Sequence, residues 1–167
     1  MGDVLSHIEH AELREVLRLA ARWHDLGKHR KRWQQNLRNH EYPAKVIAKT
    51  GHRKPPLQKI GYRHEFGSLL DLAELPEFKS LSDEHKELLL HLVAAHHGRA
   101  RPHFTADEAF DAERTVEHAA EMAEATPGRF ARLQRRHGRW GLAWLESLLR
   151  AADISASIHP TPTEDKR

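Results

Sequence analysis

Apolar side chains recur along this chain with a helical period almost from end to end. Leu13, Val16, Leu17, Ala20 and Ala21 follow i, i+3, i+4 spacing, which predicts a helix from about His10 to Asp25. A second, short helix fits Lys31 to Leu37. Between Tyr42 and Gly61 the pattern lapses, and Pro43, Gly51, Pro55 and Pro56 mark a basic loop. Helix resumes from His64 to Ala73 and is interrupted at Pro76. Ser82 suits the N-cap of a helix over Asp83 to His97, whose acidic first turn complements the dipole, and Gly98 stands where a terminating glycine belongs. Asp107 to Ala125 predicts a long amphipathic helix stopped by Thr126-Pro127-Gly128. After a shorter helix, Arg139 to Ser157 carries Trp140, Ala143, Trp144, Leu148 and Ala151 on one face. No segment alternates as a strand does, and none repeats. The expected class is all-α.

One domain is expected over residues 1–158, followed by a tail over 159–167 that Pro160 and Pro162 mark as disordered. A chain of 167 residues buries a core without staples. The absence of Cys excludes disulfides, thiolate metal sites and Cys nucleophiles. No apolar run approaches the roughly 18 residues of a membrane span, and no signal peptide is legible, so a soluble, cytoplasmic enzyme without membrane partners is expected.

The net charge of +3 conceals segregation. Arg22 to Arg63 holds twelve Lys/Arg against two acids, His64 to Thr126 five against fourteen, and Pro127 to Arg150 six against one. Basic segments of this kind suit a polyanion, although a cluster such as Lys28 to Arg32 reads equally as a solvated face. The loop from Arg38 to Arg63, with Tyr42, and the cluster Arg132, Arg135, Arg136 and Arg139 are candidates to guide a phosphate backbone. Trp33 is a candidate stacking platform, or a core aromatic. No G-x-x-x-x-G-K-[ST] occurs, which excludes a P-loop motor of that type in this sequence.

Histidine is the compositional outlier, with 15 copies, and its placement matters more than its number. His24-Asp25 closes the first helix, His64 opens another, His96-His97 stands at a helix C-terminus, and Asp153 lies on an otherwise apolar helix. Imidazole nitrogens and carboxylate oxygens are the donor set of Mn, Fe, Co, Ni or Zn. A carboxylate has two oxygens and can bridge two cations that hold a hydroxide for in-line attack on phosphorus. Singly, each piece has an ordinary reading: a helix-terminal pair, a surface histidine, a cation at a helix C-terminus, a carboxylate paired within the core. In this order they are hard to ascribe to chance.

The stretches AARWHDLGK, YRHEFGSLL, HLVAAHHGRARP and GLAWLESLLRAADISAS together resemble the HD nuclease domain of the CRISPR-associated helicase-nuclease of type I interference systems. The likeness runs from about Leu19 to Ser157. It implies an HD-domain helical bundle with its metal site between helices, and metal-dependent hydrolysis of single-stranded DNA through two-metal activation of water. By motif, His24, Asp25 and Asp153 would hold one ion, and Asp25 would bridge to a second held by His64, His96 and His97. Lys28, which shares the face of His24 and Asp25 if the helix continues, would contact the scissile phosphate or the hydroxide; an exposed lysine is the plain alternative. Arg99 and Arg101, after the His-His-Gly, and Ser157, four residues after Asp153, would contact substrate. The implied cofactors are two divalent transition ions (Mn, Fe, Co or Ni, with Mg or Zn as alternatives). The implied partners are a helicase domain or subunit and a CRISPR surveillance complex.

The family has a further histidine well upstream, for which only His7 and His10 are available here. His10 lies 14 positions from His24, about 21 Å along a helix. His7 could serve only if the N-terminal segment folds back, so the expectation is a fragment lacking that ligand, or a variant with one weak metal site. Two other readings stand beside the nuclease: a nucleotide or cyclic-dinucleotide phosphohydrolase of the same superfamily, and an inactive docking module.

Overall fold

The structure, a computed structural model, describes residues 11–49 and 61–158. Its helices are α1 (Ala11–Trp23), α2 (Lys31–Asn36), α3 (His64–Leu72), α4 (Pro76–Lys79), α5 (Asp83–Ala95) and α6 (Val116–Ile158), with a 3-10 turn at Leu26–His29 between α1 and α2. Among the described residues there is no strand, and the fold is all-α as expected. His7, His10, residues 50–60 of the expected basic loop and the expected tail over 159–167 lie outside the described residues.

α1 forms where its periodicity says, and buries Val16, Leu17, Leu19, Ala20, Ala21 and Trp23. It packs with α5 and α6, and α5 also packs against α3, so these four helices enclose the core. Phe66, Leu69, Leu70 and Leu72 of α3 meet Leu88, Leu89, Leu92 and Val93 of α5 and Leu142, Leu145 and Leu149 of α6 there. Each such side chain contributes roughly 1.5–3 kcal/mol by leaving water. Ser82 caps α5, its side chain accepting from the His85 amide, and Gly98 adopts φ +79° just past the helix end.

Three expectations are corrected. No helix begins at Asp107. Residues 107–115 form turns, because Glu108 and Asp111 are drawn inward: Glu108 pairs with Arg63 at 2.8 Å, and Asp111 with Arg30 at 2.8 Å. The helix starts at Val116, with Thr115 Oγ1 accepting from the His118 amide. Nor does Thr126-Pro127-Gly128 stop it. Met122, Thr126, Arg129 and Leu133 are buried along one stripe that spans Pro127, and the Thr126 hydroxyl donates to the Met122 carbonyl. The break falls instead at Gly138, whose φ of 69° and ψ of 165° a residue with a Cβ adopts only at a cost of about 1–3 kcal/mol.

The third correction concerns the arm after that break. Leu142, Leu145, Glu146, Leu149 and Ala152 face inward, while Trp140 is 89% exposed and Trp144 50% exposed. This arm is apolar on two faces, and periodicity does not say which is covered. None of the described helices is long and apolar enough to cross a membrane.

Candidate metal centre

Each buried helical face ends in a ligand-type residue. His24 lies four residues beyond Ala20 and seven beyond Leu17, so it continues the inward stripe of α1. His96 stands in the same relation to Leu92 and Leu89 of α5, and Asp153 follows Leu149 by four residues on α6. His64 opens α3 at the same end of the bundle. The core is thereby closed at one end by imidazoles and carboxylates. Two helices, α1 and α5, terminate there, and the partial negative charge of their C-termini favours a cation.

The ring orientations are fixed by one device used twice. His24 Nδ1 lies 2.9 Å from the Ala21 carbonyl and His96 Nδ1 2.7 Å from the Val93 carbonyl, each three residues back. A carbonyl only accepts, so both rings carry hydrogen on Nδ1 and present the Nε2 lone pair to the site. His24 Nε2 lies 3.5 Å from Asp25 Oδ2 and 3.4 Å from Asp153 Oδ1. His64 Nε2 lies 3.3 Å from the other oxygen, Asp25 Oδ1. The two oxygens of Asp25 thus face different histidines.

Ligand atoms of His24, Asp25 and His96 lie within 4.8 Å of one another, and so do those of His64, His96 and His97. His24 Nε2, Asp25 Oδ1, His64 Nε2 and His96 Nε2 are all buried without a hydrogen-bond partner. An orphaned buried polar atom costs about 1–3 kcal/mol, and four at one point are accounted for by a ligand that accepts electron pairs. Borderline divalent cations fit this donor set.

Electrostatics agree. Burial works to raise the Asp25 pKa, but the contact with His64, the positive charge that His24 has only when protonated, and the Lys28 ammonium outweigh it and hold the carboxyl below its ordinary range. Burial pushes His96 down to about 2, reinforced by His97, His24 and His64 against the Val93 carbonyl. His97 is lowered chiefly by burial, with Glu65 opposing. Asp25, His96 and His97 are thereby held toward their unprotonated forms, the forms that can donate to a cation.

Lys28 is buried beside this group, with Nζ 2.7 Å from Asp25 Oδ2. It is held by the turn Asp25–Lys28, which packs on α3 through Ser68. That hydroxyl accepts from the Gly27 amide at 2.9 Å and lies 2.7 Å from the His24 carbonyl and 2.8 Å from the His64 carbonyl. A Cβ on Gly27 would stand 2.1 Å from the His64 carbonyl oxygen, so only glycine permits this approach.

Of the candidate substrate contacts, Arg99 is half exposed, 3.5 Å from Glu108. Arg101 is bound to Glu146 at 2.7 Å, and Glu146 in turn to His91 at 2.8 Å. That buried bridge joins α5, the segment after His97 and α6, and so fixes the elements carrying His96, His97 and Asp153. Ser157 is exposed and accepts from Lys49 Nζ at 3.0 Å, which brings the described start of the basic loop within one turn of Asp153. Trp33 is half-buried, its ring 4.8 Å from that of His64.

The cluster Arg132–Arg139 lies elsewhere. Arg132 pairs with Glu87 and Arg136 with Glu84, in the first turns of α5. That is the far end of a 13-residue helix, roughly 20 Å from His96. Sequence reasoning missed Glu65, next to His64, and also Glu146 and His91, which meet across 55 residues.

The family model described as "Cas3, HD domain" matches residues 1–157. No curated protein and no solved structure matched the chain.

Proposed function

Because this chain belongs to the Cas3 HD-domain family, whose members are metal-dependent nucleases or phosphohydrolases, we propose that it hydrolyses phosphodiester bonds of single-stranded DNA at a two-ion centre. The observation that carries the reading is the convergence of four buried, unpartnered ligand atoms, on His24, Asp25, His64 and His96, at one end of the bundle. His24, Asp25 and Asp153 would hold the first ion, and His64, His96 and His97 the second, with Asp25 available to both. Four imidazoles favour Mn, Fe, Co, Ni or Zn over Mg. Such ions supply Lewis acidity and an acidified water for attack on phosphorus.

The chain's own residues do the rest. The Ala21 and Val93 carbonyls hold two of the rings in the tautomer that leaves Nε2 free. Lys28 places an ammonium beside the ligand oxygens, where it neutralises charge developing on a phosphate seated over them. Arg99 stands at the open edge beyond His97, and Lys49 with Ser157 at the edge beyond Asp153; both edges suit a backbone strand. The strand would be delivered by a helicase domain or subunit recruited to a CRISPR surveillance complex.

The test is cleavage of labelled single-stranded DNA by chelator-treated protein given Mn or Ni. Cutting is expected only with added ion, and Asp25→Ala should reduce it at least about a hundredfold together with ion content. Lys28→Ala should keep its ions yet cut roughly a hundredfold more slowly. Cutting that persists in the chelator or in Asp25→Ala refutes the reading.

A further inference from the structure

Three histidines present Nε2 to the centre from within the bundle, but only two have a backbone carbonyl to hold Nδ1. His24 and His96 close their helices, where the carbonyl three residues back is free to accept. His64 opens α3, preceded by Arg63 in an extended conformation, and no carbonyl of its own helix lies behind it. The atom beside its Nδ1 is Glu65 Oε2, at 3.4 Å. Glu65 is 1% exposed, and Oε2 has no hydrogen-bond partner. A buried carboxylate oxygen without a donor is costly, and a hydrogen on His64 Nδ1, 3.4 Å away, would relieve it. Glu65 also acts electrostatically on His97, a second member of the same group of three histidines. Its neighbour Phe66 is fixed in the core, so the backbone at Glu65 has little freedom to withdraw.

We infer that Glu65 is a positioning residue of the second ion site: it accepts from His64 Nδ1–H, fixing the tautomer in which Nε2 donates to the ion. This inference rests on the two-ion reading above and deepens it. Glu65 does for His64 what the Ala21 and Val93 carbonyls do for His24 and His96, and its charge raises the donor strength of the ring. The first site, which His24, Asp25 and Asp153 would form, shares only Asp25 with the second.

The test is titration of the chelator-treated chain with Co²⁺, followed by absorption, for wild type, Glu65→Gln and Glu65→Ala. Wild type is expected to take up two ions. Both variants should bind the second about 10–100-fold more weakly while the first stays within about threefold, which also reports that they are folded. Glu65→Gln keeps the shape of the side chain and carries the test if Glu65→Ala does not fold. In the ion-free wild type, ring ¹⁵N shifts should place the His64 hydrogen on Nδ1, and a mixture of tautomers should appear in Glu65→Gln. Second-site affinity within about threefold of wild type in Glu65→Gln, or hydrogen on Nε2 in wild type, overturns the inference and leaves the metal centre standing. No Co²⁺ uptake by wild type overturns both.

Discussion

A neutral imidazole has one lone pair to give, so a histidine's value as a ligand depends on what holds its other nitrogen. In His24 and His96 that nitrogen is engaged at 2.9 and 2.7 Å, and the free one is buried. Keeping His96 neutral has a consequence for stability. Its pKa is about 2 in the folded chain and about 6.5 when unfolded, so between these values the unfolded state binds the extra proton. Stability of the metal-free chain should therefore be complete above about pH 6.5 and fall as the pH drops below it, by up to about 1.4 kcal/mol per unit for this residue. Asp25, lowered in the fold, contributes stability above about pH 4 that is lost below it. Urea unfolding at pH 7.5, 6 and 5 checks this. A profile flat from pH 7.5 to 5 would contradict a buried neutral His96.

At the scale of elements, the candidate ligands were legible as motifs in a fixed order, and three of them also continue an apolar stripe, His24 and His96 past the ends of α1 and α5 and Asp153 within α6. His24 after Ala20, His96 after Leu92 and Asp153 after Leu149 follow from a period of 3.6 residues and need no tertiary information. What was not legible depends on contacts between remote segments. Glu146 meets His91 and Arg101 across 55 and 45 residues, and Glu108 and Asp111 abandon an amphipathic pattern for Arg63 and Arg30. The outward turn of Trp140 and Trp144 escaped for a different reason: two apolar faces compete for one core.

The join between the 3-10 turn and α3 is the element on which the site's geometry depends most. Ser68→Ala leaves the Gly27 amide buried without an acceptor and should cost about 1–3 kcal/mol in denaturant unfolding. Ion affinity should fall with it, since His24, Lys28 and His64 share that join. Unchanged stability and ion binding in Ser68→Ala would show that the hydroxyl positions nothing.

Across the whole molecule, charge and chemistry separate along the bundle. The end where α1 and α5 terminate gathers His24, Asp25, His64, His96 and His97, and Asp153 reaches it from α6. The opposite end of α5 gathers arginines, of which Arg132 pairs with Glu87 and Arg136 with Glu84. Basic composition alone placed Arg132 and Arg136 among candidate DNA contacts; their partners point to a local role. Arg132→Ala and Arg136→Ala should leave single-stranded DNA affinity within about twofold and cost less than about 1 kcal/mol, as exposed pairs do. Fluorescence anisotropy over a salt series measures this. A tenfold loss, with a salt slope reduced by about one, would instead make them phosphate contacts.

The central claim is that this end of the bundle holds two ions bridged by Asp25. Anomalous diffraction from crystals soaked in Mn²⁺ or Co²⁺ tests it most directly. The account predicts two peaks about 3.5–4 Å apart, one against His24, Asp25 and Asp153 and the other against His64, His96 and His97. A single peak would contradict the two-ion centre, and no peak among these side chains would contradict a metal centre altogether.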